Sequence, residues 1–248
     1  MSLKLLRAAG KTHIGKVREQ NEDAFFISPT GPAPLPNLFL VADGMGGHNA
    51  GDFASSSAIG VFCDFFDTFD NVVPLENCLF EALTKANENV YFSSQINSNY
   101  KGMGTTLTAA TITANSLHFA HVGDSRIYLI KNNDTISQIT KDHISFTADM
   151  VAQGVITKDE AKKLPKRVLT QAVGTDVLVE IDKNAVLLEN TSHVLLCTDG
   201  LTDMLGDSEI LEIIKSNTKI DEIAEKLTEA ALDAGGRDNI SVIVIGWD

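Results

Sequence analysis

Apolar runs of strand length come in groups along this chain, helical stretches come in pairs, and that grouping limits the folds open to it. The strand-length runs are 24–27, 38–42, 107–112, 117–122, 126–130, 168–172, 194–197 and 240–245, most of them bounded by Gly, Asn, Asp or Ser. Helical spacing marks 53–66 and 75–92, the second with Leu79, Leu83, Ala86 and Val90 on one stripe. A second helix pair is expected over 207–215 and 221–234, with Asp221 as N-cap and Gly235 as the stop. Strands in runs and helices in pairs argue against a β-α-β alternation. They predict an α+β fold with largely antiparallel sheets in layers.

Two segments interrupt this order. Residues 28–37 hold four of the six prolines and read as an extended loop between two strands. Residues 146–166 contain a short amphipathic stretch and then Thr157, Lys158, Asp159 and Glu160, a capping-box pattern that opens a brief helix.

With 248 residues and 44% hydrophobic content the chain can bury a sizeable core, and no linker divides it, so a single domain over 1–248 is expected. The formal charge of -13, without any basic run, excludes a nucleic-acid binder. Residues 1–15 are too short and too interrupted by Lys and Arg for a signal peptide, and no apolar stretch is long enough to span a membrane. A soluble, monomeric, cytoplasmic chain without membrane association is expected. Cys63, Cys78 and Cys197 are odd in number and lack CxxC spacing, so they are read as small buried hydrophobes and not as a disulfide or zinc framework.

Five acidic residues lie in short segments rich in Gly and Asp, from one end of the chain to the other: Glu22, Asp43, Asp124, Asp199 and Asp238. Each Asp-Gly pair alone is an ordinary turn signal. Together they have the look of a carboxylate-lined site for hard divalent cations, which take oxygen ligands from distant segments. The surrounding segments are Arg18 with Glu22 and Asp23, Asp43-Gly44-Met45-Gly46-Gly47-His48, Gly102-Met103-Gly104-Thr105-Thr106, Val122-Gly123-Asp124-Ser125-Arg126, Thr140-Lys141-Asp142-His143, Cys197-Thr198-Asp199-Gly200 and Gly236-Arg237-Asp238-Asn239. In order and wording they resemble the metal-dependent Ser/Thr protein phosphatases of type 2C, or PPM, in particular the bacterial members, over nearly the whole chain.

That resemblance implies a central antiparallel β-sandwich flanked by pairs of helices on both sides, with a flap at 144–167. It implies hydrolysis of phosphoserine and phosphothreonine in proteins, often opposite a cognate Ser/Thr kinase, by a hydroxide bridging two Mg²⁺ or Mn²⁺ ions and without a phosphoenzyme. Asp43 would bridge both ions. The Gly44 carbonyl and Glu22 would hold the second, Asp199 and Asp238 the first, and Asp124 with Asp199 a third. Asp23 is read as orienting the site from behind the ligands. Arg18 suits a fork onto two phosphate oxygens; its structural alternative is a surface pair with Glu19 or Glu22. Asp124 could equally cap a turn.

Many eukaryotic members carry a histidine directly after the Asp-Gly pair as a proton donor, but this chain has Met45 there, leaving His48 or a metal-bound water as the acid. His118 and His121 lie three apart on an expected strand and so face opposite ways, which excludes them as joint ligands. His143 is assigned a structural role at the flap base. The family's Asp-His-Ser reads Asp142-His143-Ile144 here and its Leu-Thr-Arg reads Leu169-Thr170-Gln171, so no flap residue enters the expected site.

Other chemistries fail on spacing. Six positions after the cysteines stand Phe69, Thr84 and Asp203, not the arginine of a cysteine phosphatase, and no Asp-x-Asp occurs. No Gly-Lys-Ser/Thr follows 44–47, and 199–209 lacks the EF-hand glycine. The serious rival is a non-catalytic phosphoprotein-binding member, which would be expected to have lost a ligand.

Overall fold

The computed structural model describes residues 6–46, 50–68, 73–161, 163 and 167–247. The first half of the chain runs β1 (Leu6–His13), β2 (Asp23–Ser28), β3 (Leu38–Met45), α1 (Ala50–Asp64), α2 (Leu75–Ile96), β4 (Gly104–Thr105), β5 (Leu107–Ile112), β6 (Ser116–Val122), β7 (Arg126–Lys131) and β8 (Ile136–Gln138). The second half continues β9 (Ile144–Phe146), α3 (Thr147–Ala152), α4 (Lys158–Ala161), β10 (Arg167–Leu169), β11 (Asp182–Leu187), β12 (Thr191–Cys197), α5 (Asp199–Thr202), α6 (Asp207–Ser216), α7 (Ile220–Asp233) and β13 (Ile240–Trp247).

Two antiparallel sheets form, one in the order β1-β13-β12-β7-β8 and the other β11-β6-β5-β3-β2, with β4 paired to β3. Their facing sides meet through Phe39, Val41, Ala110 and Phe119 on one sheet and Ile127, Leu129, Leu196 and Ile243 on the other. The intervening residues point outward. Leu38, Leu40, Ala42, Leu107 and Ala109 pack on α1 and α2, while Tyr128, Leu195, Val242 and Val244 pack on α5, α6 and α7. The result is the expected four-layer αββα arrangement. Because both faces of the central strands are covered, those strands read as unbroken apolar runs and not as alternating ones.

The edges are where the structure adds to or corrects the sequence reading. β1, β8 and β11 carry no continuous apolar run; β11, Asp-Lys-Asn-Ala-Val-Leu, is half exposed along its length, and only register pairing with β6 makes it a strand. The expected strand at 168–172 is shorter, β10, and pairs with β9 outside both large sheets. The loop at 28–37 is not extended but folded back on itself: Gly31 N–H donates to the Pro36 carbonyl at 3.1 Å, and Leu35 is buried. Asp221 lies inside the first turn of α7, whose N-cap is Lys219; there the carboxylate meets the positive end of the helix without capping it. Gly235 does terminate that helix, at a φ of 138°. The capping box stands as expected, Glu160 N–H donating to Thr157 Oγ1 at 3.2 Å and Thr157 N–H to Glu160 Oε2 at 2.7 Å. Cys78 and Cys197 are buried and Cys63 half-buried, all as thiols. No helix among the described residues is long and apolar enough to cross a membrane.

Candidate metal centre

At one end of the sandwich a cavity of about 260 Å³ is lined by Arg18, Glu22, Asp43, Gly44, Met45, Gly46, Thr106, Asp124, Arg167, Leu169, Asp199 and Asp238. Every ligand expected from the sequence is there. Asp23 lies directly behind, opposite Asp43 in the β2–β3 register, its Oδ2 accepting from the Thr198 hydroxyl at 2.8 Å. His48 lies outside the described residues.

Each carboxylate is held by a short segment of its own. Asp43 comes near the end of β3, and the turn before β5 clamps its backbone: its N–H donates to Thr106 Oγ1 at 2.8 Å, and its carbonyl accepts from the Thr106 N–H and the Thr105 hydroxyl, each at 2.9 Å. That is the service of the Gly102–Thr106 motif. Glu22 is fixed through its main chain, its N–H donating to Asn239 Oδ1 at 2.8 Å and its carbonyl accepting from Gly44 N–H and the Ser55 hydroxyl. A Cβ at Gly44 would sit 2.1 Å from the Gly51 carbonyl, so only glycine lets the start of α1 approach β3 closely enough to bring Glu22 in. Asn239 also donates to the carbonyls of Ile14 and Gln20, binding the 14–22 loop to Asp238.

Asp43 lies partly buried at the floor of the cavity, and its carboxyl is pushed well above the ordinary range by burial first and then by Asp23, Asp199, Asp238 and Asp124. Asp199 is pushed up by burial and by Asp124 and Asp203; Asp23, Asp124 and Glu22 are raised chiefly by burial. Clustered carboxylates that raise one another in this way demand positive charge. The lining supplies two guanidiniums. Arg18 Nη2 holds Asp238 Oδ2 at 2.6 Å, and Glu22 lies near enough to feel the guanidinium's charge. Arg167 holds Asp199 at 2.5 Å and Asp203 at 2.9 Å, with Asp124 at 3.4 Å.

No three His, Cys, Asp or Glu side chains among the described residues close tightly round one point as they stand; the two arginines hold oxygens that a cation would take. The donor set nevertheless fits hard divalent ions: it is all oxygen, mutually repelling, and includes Glu22 Oε1, buried without a partner.

Arg167 and Asp203 escape the sequence reading. Asp203 follows Asp199 by four residues, the spacing that places two side chains on one helix face, and that was the available signal. Arg167 offered none, because its reach depends on how β10 pairs with β9. The departures at Ile144 and Gln171 fall away from the carboxylates: Ile144 pairs with Leu169, and Gln171 Oε1 accepts from Glu180 N–H. The other histidines are partnered elsewhere, His118 with Glu76 and His121 with Thr108 on opposite faces of β6, as expected.

A metal-dependent phosphatase of mixed helix and sheet is the class this fold and site define. The protein phosphatase 2C family model matches residues 9–237, and the chain belongs to that family. It is a bacterial-type protein-serine/threonine phosphatase, 35% identical over 247 residues to the serine/threonine phosphatase stp of Listeria welshimeri, covering 97% of this chain and 95% of that one. Among solved structures it is similar to the serine/threonine phosphatase Stp1 from Staphylococcus aureus, with a TM-score of 0.84 at 36% identity over 100% of this chain and 98% of that one. The catalytic domain of PstP in complex with two manganese ions matches with a TM-score of 0.77 at 34% identity, over 98% of each chain.

Proposed function

We propose that this phosphatase hydrolyses phosphoserine and phosphothreonine in proteins at two Mg²⁺ or Mn²⁺ ions, with a third held more weakly, and that residues 1–248 form one catalytic domain with a flap at 144–167. Asp43 would be shared between the two ions. Glu22 and the Gly44 carbonyl would serve one, Asp199 and Asp238 the other, and Asp124 with Asp199 the third. When bound, such ions polarise the phosphoryl group and make water acidic enough to supply a nucleophile near neutral pH.

This chain's own residues do the remainder. Arg18, half exposed at the rim, exchanges its bond to Asp238 for two phosphate oxygens and steadies the charge that develops on them. Thr106 keeps Asp43 aimed into the cavity. Direct attack by water, without a phosphoenzyme, fits a lining in which the carboxylates would be committed to the ions and the Thr106 hydroxyl is already engaged by Asp43 N–H and Ser125.

The observation that carries this reading is the gathering of Glu22, Asp43, Asp124, Asp199 and Asp238 round one cavity, where they raise one another and where entering cations would relieve the repulsion. A phosphoprotein-binding member without activity would have no need to keep that set complete. Hydrolysis of a phosphothreonine peptide should stop in excess chelator and return with Mn²⁺ or Mg²⁺. Full turnover in the chelator would sink the proposal.

A further inference from the structure

Asp124 does not hold its own position. The turn that presents it depends on Gly123, which sits at a φ of 117° and whose Cβ, if it had one, would meet Thr106 Cγ2 at 2.5 Å. Both polar groups of Gly123 go to one residue twenty positions on: its N–H donates to His143 Nδ1 at 3.2 Å, and its carbonyl accepts from His143 N–H at 2.8 Å. With Nδ1 as acceptor, the ring proton is on Nε2, which faces Asp182 Oδ2 of β11 at 3.3 Å. A second tie runs alongside, where Arg126, three residues after Gly123, clasps Asp142, one before His143, through Nε at 3.0 Å and Nη2 at 2.7 Å.

The same His143 reaches the flap base. Its carbonyl accepts from Thr170 N–H at 2.8 Å, and the chain passes from it directly into β9, whose partner strand β10 carries Arg167 and Leu169 into the cavity. One side chain and its own peptide groups thus connect the turn that carries Asp124 to the hairpin that carries Arg167.

We propose that His143 is a positioning residue: as acceptor for Gly123 N–H it aims Asp124 into the cavity, and through its carbonyl it couples that turn to the β9–β10 hairpin. It touches neither substrate nor ion. Its effect is transmitted by hydrogen bonds to residues that do.

The test compares His143→Ala, His143→Asn and His143→Gln in the full chain. Asn places an acceptor where Nδ1 stood and Gln places its amide where Nε2 stood, so the two separate the bond to Gly123 from the bond to Asp182. Amide hydrogen exchange at 122–126 and at 168–173 should quicken together, about tenfold or more, in the Ala and Gln variants and stay near wild type in Asn. In calorimetric Mn²⁺ titration, the weakest binding component should lose about tenfold in affinity in Ala and Gln, in line with residues that orient ligands. This second readout rests on the proposed third-ion role of Asp124, so Asp124→Ala is titrated alongside. If that variant keeps the weak component, the third-ion reading fails while the exchange measurement still decides the role of His143. Unchanged exchange in His143→Ala, a response at only one of the two segments, or an Asn variant as perturbed as Gln would overturn the proposal. Should the Ala variant not fold, the Asn–Gln pair makes the same discrimination.

Discussion

At the scale of single residues, the site is a concentration of negative charge in a partly buried cavity, and substitutions within it should act in opposite directions on activity and on the metal-free fold. Asp43→Asn removes the carboxylate that every other aspartate of the cluster repels while keeping its shape. Activity should fall by about a hundredfold or more if, as proposed, two ions share this ligand. In chelator, however, the variant should melt at a higher temperature than wild type, because one repelling charge has gone. Thermal scans with and without Mn²⁺ check both halves; a variant less stable in chelator would mean that the wild-type carboxylate is favourably partnered there.

His48 tests the proton donor that Met45 cannot be. Expelling a threonine alkoxide gains typically about a hundredfold from general acid catalysis, whereas p-nitrophenolate leaves readily unaided. His48→Ala should therefore lose far more rate on a phosphothreonine peptide than on p-nitrophenyl phosphate. Equal losses would assign it to the shape of the loop after Asp43.

At the scale of elements, Asn239 joins the start of β13 to the loop between β1 and β2 through three hydrogen bonds, to Glu22, Ile14 and Gln20. Asn239→Leu leaves partly buried main-chain groups without their partner and should cost about 2–4 kcal/mol, at 1–3 kcal/mol for each group left unsatisfied with part of the loss recovered by relaxation and by water. Metal affinity should fall with it, since Glu22 and Asp238 lose a common anchor. Urea unfolding and calorimetry measure the two effects; a variant that loses stability but keeps wild-type affinity would show the anchor to be irrelevant to the ligands.

The same scale shows what could be read in the sequence. Strands covered on both faces, such as β3, β5 and β13, announce themselves because apolar residues dominate both of their faces. The carboxylates were equally legible, since Asp43, Asp199 and Asp238 sit beside glycines or turns at the ends of such strands. β1 and β11 were not, because an edge strand in half-exposed surroundings has no hydrophobic pattern to betray it; its partner defines it. Arg167 was hidden for a related reason: nothing local tells a guanidinium in a flap which of several distant carboxylates it will meet. Asp124 was legible as a candidate, but its dependence on His143 is a tertiary relation with a twenty-residue gap.

For the whole molecule, buried histidine and buried carboxylates set opposing responses to acid. His121 is enclosed, and its pKa is pushed down from 6.5 to about 4 by burial and then by His143. Its folded-state value lies below its unfolded one, so its contribution is present above pH 6.5 and is lost as the pH falls towards 4, by about 3 kcal/mol at 1.4 kcal/mol per unit. Asp43 and Asp199 are raised instead, so theirs is present below the unfolded carboxylate range and is lost as the pH rises through their folded values. Comparing wild type and His121→Asn in chelator at pH 7 and pH 4.5 isolates the histidine: the variant should lose about 2–3 kcal/mol less on acidification. An equal loss would mean that the ring is already charged within the fold. Metal should raise the melting temperature at neutral pH, by an amount equivalent to about 2.7 kcal/mol at a hundredfold excess over Kd.

β13 takes an interior place between β1 and β12, and Asp238 and Asn239 stand just before its start. β1 joins the first sheet through β13 alone, and the 14–22 loop closes on Asn239. A chain cut before Asp238 would therefore keep most of the motifs and lose the geometry that gives them meaning: one interior strand is the keystone of both the sheet and the carboxylate cluster.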